Sequence, residues 1–166
     1  MRRATVRHRY ETITRTVGIP VPFDLAAFCS RVAEYRGRDV HLHPMKLGAA
    51  GGLCGLYVEL DGSDHVFFPE DTSALHQQHI VVHELAHLLC GHQATEPAAG
   101  LPDGVLDELF PTLDRGLVRS VLGRSRYADP AEHEAEVIAT LILQHADEEP
   151  EANTDPLVAR IESTLR

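Results

Sequence analysis

The first strong hydrophobic pattern in the chain follows two prolines and has the period of a helix. Apolar residues recur every three or four positions between Asp24 and Arg36, which predicts a helix with one face toward a core. Asp24 is a suitable N-cap and Gly37 a suitable stop, because these residue types favour the two ends of a helix. The predicted inner stripe consists of Leu25, Phe28, Val32 and Tyr35.

Shorter apolar runs come next and predict a small sheet. They lie at Val40–Met45, Leu53–Leu60 and His65–Phe68, and their length and β-branched content are typical of strands. The Asp-Gly between the last two runs is a hairpin signal. Lys46–Gly52 is rich in glycine but lacks the spacing of a phosphate loop, so we interpret it as a turn. Together with the helices around it, this antiparallel sheet predicts an α+β fold.

The third pattern predicts a helix that is mostly covered by protein. It runs from Ser73 to Cys90, with Thr72 or Ser73 as N-cap and Gly91 as stop. Its apolar residues occupy more than one face, which is typical of a buried helix. They are Leu75, Ile80, Val81, Val82, Leu85, Ala86, Leu88 and Leu89.

Two histidines and a glutamate interrupt this buried helix in an H-E-x-x-H pattern: His83, Glu84 and His87. Residues four apart on a helix lie about 40° from each other and one turn up, so both imidazoles can reach one metal ion. Glu84 projects from the next position, where it can hold a water without being a ligand. The pattern therefore predicts zinc-dependent hydrolysis, with peptide-bond cleavage as the leading interpretation. The alternative is a pair of hydrogen-bonded surface histidines, which the apolar surroundings disfavour.

Catalytic zinc takes three protein ligands, so a third must come from elsewhere in the chain. The best source is a second predicted helix from Asp129 to about His145, which Asp129 caps and whose apolar residues form one face. Four residues near its start are candidates: Glu132, His133, Glu134 and Glu136. Sequence spacing alone does not choose among them.

These two helices resemble those of the ImmA/IrrE family of zinc metallopeptidases. The strongest stretch is His79–His92, and Glu134–Leu143 resembles the family's later helix, E-A-(N or D)-x-F-A-A-x-L-L. The resemblance covers roughly residues 21–145. It implies a minimal zincin-like fold, a Zn²⁺ cofactor and Glu134 as the third ligand. It also implies a protein substrate, a helix-turn-helix repressor encoded nearby, and a likeness to members of toxin–antitoxin pairs.

The chain departs from the family pattern at three places. Glu136 stands where the family has Asn or Asp, and Gln144-His145 replaces a Met-Pro. The stretch Gln93–Ala128 is long, and we predict short helices within it near Val105–Leu109 and Leu113–Leu122. By analogy with H-E-x-x-H peptidases, a sheet edge beside the metal helix should hold the substrate as an added strand, and we expect His65–Phe68 or Leu53–Glu59 to offer it.

Within this mechanism Glu84 is the expected general base. A further donor should stabilise the oxyanion, and its identity stays open. The candidates are Tyr127, His133, His145 and His92. His79, one turn before His83, is expected to border the site.

Composition narrows the classes of partner. The net charge is −10 in 166 residues, which argues against nucleic acid as the main ligand and favours a basic protein partner or a merely solvated surface. No apolar run is long enough to span a bilayer. The three cysteines are odd in number and lack paired spacing, which is typical of reduced thiols in the cytoplasm.

The predicted organisation is a basic N-terminal arm (1–20), a zincin-like domain (21–147), and an acidic linker with a terminal helix near Asp155–Leu165 (148–166). The expected function is a zinc endopeptidase that cleaves or inactivates a repressor. One alternative is a non-catalytic protein that binds its partner and keeps zinc for folding. Another is a toxin with a different cytosolic target. A purely structural zinc site has no need of the carboxylate between the histidines, which favours the enzyme.

Overall fold

The computed structural model describes residues 2–46, 55–92, 118–123 and 129–147. These residues form four helices and four strands in an α+β arrangement. In chain order the elements are α1 (Arg2–Thr16), α2 (Leu25–Arg36), β1 (Asp39–Met45), β2 (Leu56–Leu60), β3 (Ser63–Pro69), α3 (Ala74–Cys90), β4 (Val118–Gly123) and α4 (Asp129–Asp147). None of the helices among the described residues is long and apolar enough to cross a membrane.

The ends of α2 and α3 confirm the predicted caps. The Asp24 carboxylate accepts a hydrogen bond from the Ala27 backbone N–H at 2.6 Å, and Gly37 closes α2 with a φ of 66°. Ser73 caps α3 in the same way, and Gly91 ends it with a φ of 67°. These signals involve residues within one turn of each helix end, which is why the sequence predicts them.

The predicted inner stripe of α2 is correct except at its last position. Phe28 and Val32 are fully buried, and Leu25 packs against the core. Tyr35, however, is 54% exposed in the last turn of the helix, and Cys29 is buried instead. The face that packs is therefore turned toward Cys29, and Tyr35 stands outside it.

The sheet is mixed, so the prediction of an antiparallel sheet is wrong. Its strand order is β1-β3-β2-β4. The hairpin of β2 and β3 is confirmed, with Leu60 opposite Ser63 and a turn whose Gly62 has a φ of 91°. β1, however, pairs in parallel with β3 from Asp39↔Ser63 onward. Hydrophobic alternation shows which face of a strand is buried but not which strand lies beside it.

The strand order also overturns the predicted substrate edge. β2 pairs with β3 on one side and β4 on the other, and β3 lies between β1 and β2. Neither therefore has an unpaired edge that could take an added strand. Among the described residues the outer strands are β1 and β4. β4 also replaces the second half of the helix predicted at Leu113–Leu122, while the helices predicted at Val105–Leu109 and Asp155–Leu165 lie outside the described residues.

The basic start of the chain is a helix rather than an arm. Val6, Tyr10, Ile13 and Val17 recur at helical spacing, and Ile13 and Val17 lie in the core. α1 packs against α4. Five arginines in the first fifteen residues give this helix its basic character and interrupt its apolar period.

α3 is the central helix of the described residues. It packs against α4 and against β3 and β2 of the sheet. Its residues from Ile80 to Leu88 are all buried, and α4 covers it with Ala135, Ile138, Ala139 and Ile142, each fully buried. This packing brings the charged start of α4 alongside the H-E-x-x-H residues.

Candidate metal centre

The three H-E-x-x-H residues lie on the buried helix α3, as predicted. His83 is 5%, Glu84 1% and His87 0% exposed. Buried ionisable groups are costly unless they are paired or bind a metal. The surroundings of these three side chains therefore decide what the site can do.

The two imidazoles point the same ring nitrogen toward each other. Nε2 of His83 lies 3.1 Å from Nε2 of His87. Glu132 of α4 reaches both, with Oε2 3.5 Å from Nε2 of His83 and Oε1 3.5 Å from Nε2 of His87. One nitrogen from each histidine and one oxygen from Glu132 all lie within 4.8 Å of one another. This spacing is what one small cation between two imidazoles and a carboxylate requires.

The other nitrogen of each histidine has an outer partner. His83 Nδ1 lies 3.2 Å from Glu136 Oε2, and the same carboxylate contacts His79 Nε2 at 3.1 Å. His87 Nδ1 lies 3.0 Å from His92 Nδ1. Metal-binding histidines have such outer partners, which fix the ring orientation. Glu136 therefore occupies a supporting position, even though the family has Asn or Asp there.

Glu134, the ligand implied by the resemblance, does not join this group. Its Oε2 lies 2.8 Å from His92 Nε2, and its Oε1 lies 3.1 Å from Nε of Arg9 in α1. A helix turns about 100° per residue, so Glu132 and Glu136 share one face of α4 while Glu134 points elsewhere. The structure thus brings Glu132 to the histidine pair. Glu134 contacts His92 instead, and His92 lies between it and His87.

Glu84 lies against the backbone of the sheet. A Cβ built on Gly55 would lie 2.7 Å from Glu84 Oε1 and 2.8 Å from Ile80 Cγ2, closer than real side chains approach. Gly55 was not predicted to matter. A glycine next to a strand signals a close backbone approach, but the sequence does not say which side chain approaches.

A pocket of about 370 Å³ opens beside these residues. It is lined by Gly55, His76, His79, Ile80, His83, Glu84 and Glu136. His79 therefore borders the site as expected, and His76 is an addition that the sequence did not suggest. His133, exposed on α4, and His145, whose ring packs edge-on against Tyr10, are not among the lining residues. Tyr127 lies outside the described residues.

Burial controls the charge of His87. Removal from water, together with the neighbouring His83 and His92, lowers the pKa of His87 to about 2. The ring is therefore neutral near pH 7, which is the form that binds metals. Burial likewise raises the pKa of the Cys90 thiol to about 11, with Glu134 adding to the shift, so this thiol is protonated near neutral pH.

Comparisons with models of known protein families, with curated proteins and with solved structures gave no match. The likeness to the ImmA/IrrE family therefore stays a prediction from the motifs. The positions of the His83, His87 and Glu132 side chains are compatible with a metal ion whether or not that likeness holds.

Proposed function

We propose that this chain is a zinc-dependent peptidase of the minimal zincin-like type, with His83, His87 and Glu132 as metal ligands and Glu84 as general base. The observation that carries the proposal is the convergence of two Nε2 atoms and a carboxylate inside a buried helix pair. The geometry favours Glu132 as the third ligand, whereas the resemblance favours Glu134.

The donors and acceptors around the two rings support a cation between them. Oε2 of Glu136 lies 3.2 Å from Nδ1 of His83, on the side of the ring away from His87. The hydrogen bond between Nδ1 of His87 and Nδ1 of His92 leaves the lone pair of His87 on Nε2. The two Nε2 atoms lie 3.1 Å apart, and the Glu132 carboxylate lies 3.5 Å from each of them. Imidazole nitrogen with carboxylate oxygen is the donor set that zinc accepts, and the negative charge of the carboxylate attracts a cation.

Glu84 is suited to the proton transfers. Glu84 lines the pocket together with His83, and its carboxylate lies close to Gly55. Zinc, when bound, supplies Lewis acidity toward a peptide carbonyl and activates water. Glu84 takes the proton of the attacking water and passes it to the leaving amine. A binding protein with a structural zinc would not need this buried carboxylate beside a pocket.

The substrate is proposed from the resemblance: a helix-turn-helix repressor in the same cytoplasm. The net charge of −10 is compatible with a basic protein partner. The non-catalytic partner protein and the toxin remain alternatives, and the Glu84→Gln variant separates them. If that variant keeps the whole biological effect, binding rather than cleavage is the function. Growth arrest that the neighbouring gene product relieves would favour the toxin.

The test is zinc content and cleavage in matched variants of the full chain. We expect one zinc per wild-type molecule by elemental analysis, and cleavage of a co-expressed neighbouring repressor. Glu84→Gln should keep the zinc and lose about 100-fold or more of the cleavage rate, the contribution of a general base. Glu132→Gln should lose the zinc. A wild-type protein that binds no zinc after reconstitution would refute the proposal. Complete loss in Glu134→Gln with retention in Glu132→Gln would instead transfer the ligand role to Glu134.

A further inference from the structure

We propose that Arg9, Glu134 and His92 form a positioning relay that runs from α1 to His87 and sets which nitrogen of His87 is presented to the metal. This inference rests on the proposed zinc site. It assigns to the N-terminal helix a role in metal affinity that its sequence did not suggest.

The relay consists of three consecutive contacts. Nε of Arg9 lies 3.1 Å from Oε1 of Glu134, Oε2 of Glu134 lies 2.8 Å from Nε2 of His92, and Nδ1 of His92 lies 3.0 Å from Nδ1 of His87. Arg9 also donates to the backbone carbonyl of Cys90 at the end of α3. The contacts become more buried inward, since the Arg9 side chain is 40%, Glu134 15% and His92 9% exposed.

Only one direction of hydrogen bonding satisfies this chain when both imidazoles are neutral. The guanidinium of Arg9 forms an ion pair with Oε1 of Glu134, and Oε2 of this carboxylate can only accept a hydrogen bond from His92. His92 must therefore donate through Nε2, which leaves its Nδ1 as an acceptor. His87 must then donate through Nδ1, and its Nε2 carries the lone pair that faces His83 and Glu132. The ion pair at one end thus fixes the tautomer at the other, which is how outer partners tune metal ligands.

A second metal ion on Cys90, His92 and Glu134 is the competing interpretation, since atoms of these three residues also lie within 4.8 Å of one another. Arg9 disfavours it. Its guanidinium already supplies the positive charge at Glu134, and it contacts the Cys90 carbonyl as well. A divalent cation would lie next to this fixed positive charge and would lose free energy through repulsion.

The test is zinc affinity, measured by competition with a chromophoric chelator, together with the visible spectrum of the cobalt-substituted protein. We expect Glu134→Gln and His92→Asn each to weaken zinc binding about 10- to 100-fold, the range for loss of an outer partner. Both should shift the cobalt spectrum. Arg9→Gln should act in the same direction, and Arg9→Lys should recover part of the loss.

Arg7→Gln is the matched control. Arg7 lies on the same helix and pairs with Glu11, but both side chains are exposed, 82% and 53%, and this pair does not involve α4. It should leave zinc affinity and spectrum unchanged. If Arg7→Gln weakens binding as much as Arg9→Gln does, the effect is one of general helix stability and the relay is refuted.

A double variant separates the relay from direct ligation by Glu134. If Glu134 acts through His92, adding Glu134→Gln to His92→Asn should not weaken zinc binding further. A further tenfold loss in the double variant would mean that Glu134 binds the metal itself and would overturn the relay. Wild-type zinc binding that Glu134→Gln leaves unchanged would also overturn it while leaving the proposed function intact.

Discussion

Gly55 offers a direct test of where the proposed base lies. Substitution by alanine adds one methyl group, 2.7 Å from Glu84 Oε1, 2.8 Å from Ile80 Cγ2 and 3.1 Å from Glu84 Cγ. Favourable contacts between carbon atoms lie at about 3.5–4.0 Å, so the overlap with Ile80 is about 0.7 Å or more. Glu84 and Ile80 are 1% and 5% exposed, so the added methyl group would have to displace buried atoms of both side chains.

The expected cost follows from this overlap. One extra methyl in a well-packed interior costs about 1–3 kcal/mol in the free energy of unfolding. For a chain of this size about 2 kcal/mol corresponds to a fall of roughly 4–8 °C in Tm. Glu84 must also shift, and a displacement of about 1 Å at a catalytic group can lower the rate about 100-fold. Both stability and cleavage should therefore decrease in Gly55→Ala.

The assay combines thermal unfolding with cleavage per folded molecule. Gly37→Ala is the control, because a Cβ there meets nothing within 4 Å while its φ of 66° still strains an alanine. It should lower Tm but leave cleavage unchanged. In a double-mutant cycle, Glu84→Ala should relieve part of the destabilisation by Gly55→Ala, with a coupling of about 0.5–3 kcal/mol. Unchanged Tm and cleavage in Gly55→Ala would refute the close approach of Glu84 to the sheet.

Two further predictions concern charged groups of the sheet. Asp64 is fully buried and pairs with Arg36 at 3.1 Å and Arg38 at 3.3 Å. Asp64→Asn should destabilise the protein by about 3 kcal/mol because it removes the buried charge between these cations and leaves them only Glu59 as an acidic partner. An unchanged Tm would contradict this. Burial, together with imidazoles of β1, lowers the pKa of His65 to about 4, with Asp64 opposing. The unfolded chain therefore takes up more protons between pH 6.5 and 4, and stability should fall as the pH decreases through that window. Unfolding midpoints across it should vary less steeply in His65→Gln than in the wild type.

The sequence predicts those parts of the fold that local chemistry determines. Caps at Asp24 and Ser73, and glycines at positions 37, 62 and 91, act within a turn of the residues they terminate. The parallel pairing of β1 with β3 and the addition of β4 depend on contacts between distant segments. Periodicity does not report such contacts. The apolar spacing of Val6, Tyr10 and Ile13 is a local signal for α1, although the arginines between them weaken it.

The candidate site also contains features that the local sequence predicts and features that depend on contacts between distant segments. A helical H-E-x-x-H is enough to predict that His83 and His87 face one another, because both lie on α3. The choice among the carboxylates of α4 depends on how that helix is rotated against α3, which the sequence does not specify. Gly55 was missed for the same reason, since its neighbour Glu84 lies on another element.

The rotation of α4 gives the acidic run its separate roles. Glu132 and Glu136 lie four residues apart, about 40° from each other around the helix, and both contact the histidines of α3. Glu134 lies about 160° from each of them and instead meets Arg9 and His92. Glu132 thus contacts the Nε2 atoms of both histidines. Glu136 contacts the other ring nitrogen of His83, and Glu134 contacts His92, the outer partner of His87. Exchanging the residue types at 132 and 133, where Glu is followed by His, would therefore not be neutral, although the run keeps its composition and charge.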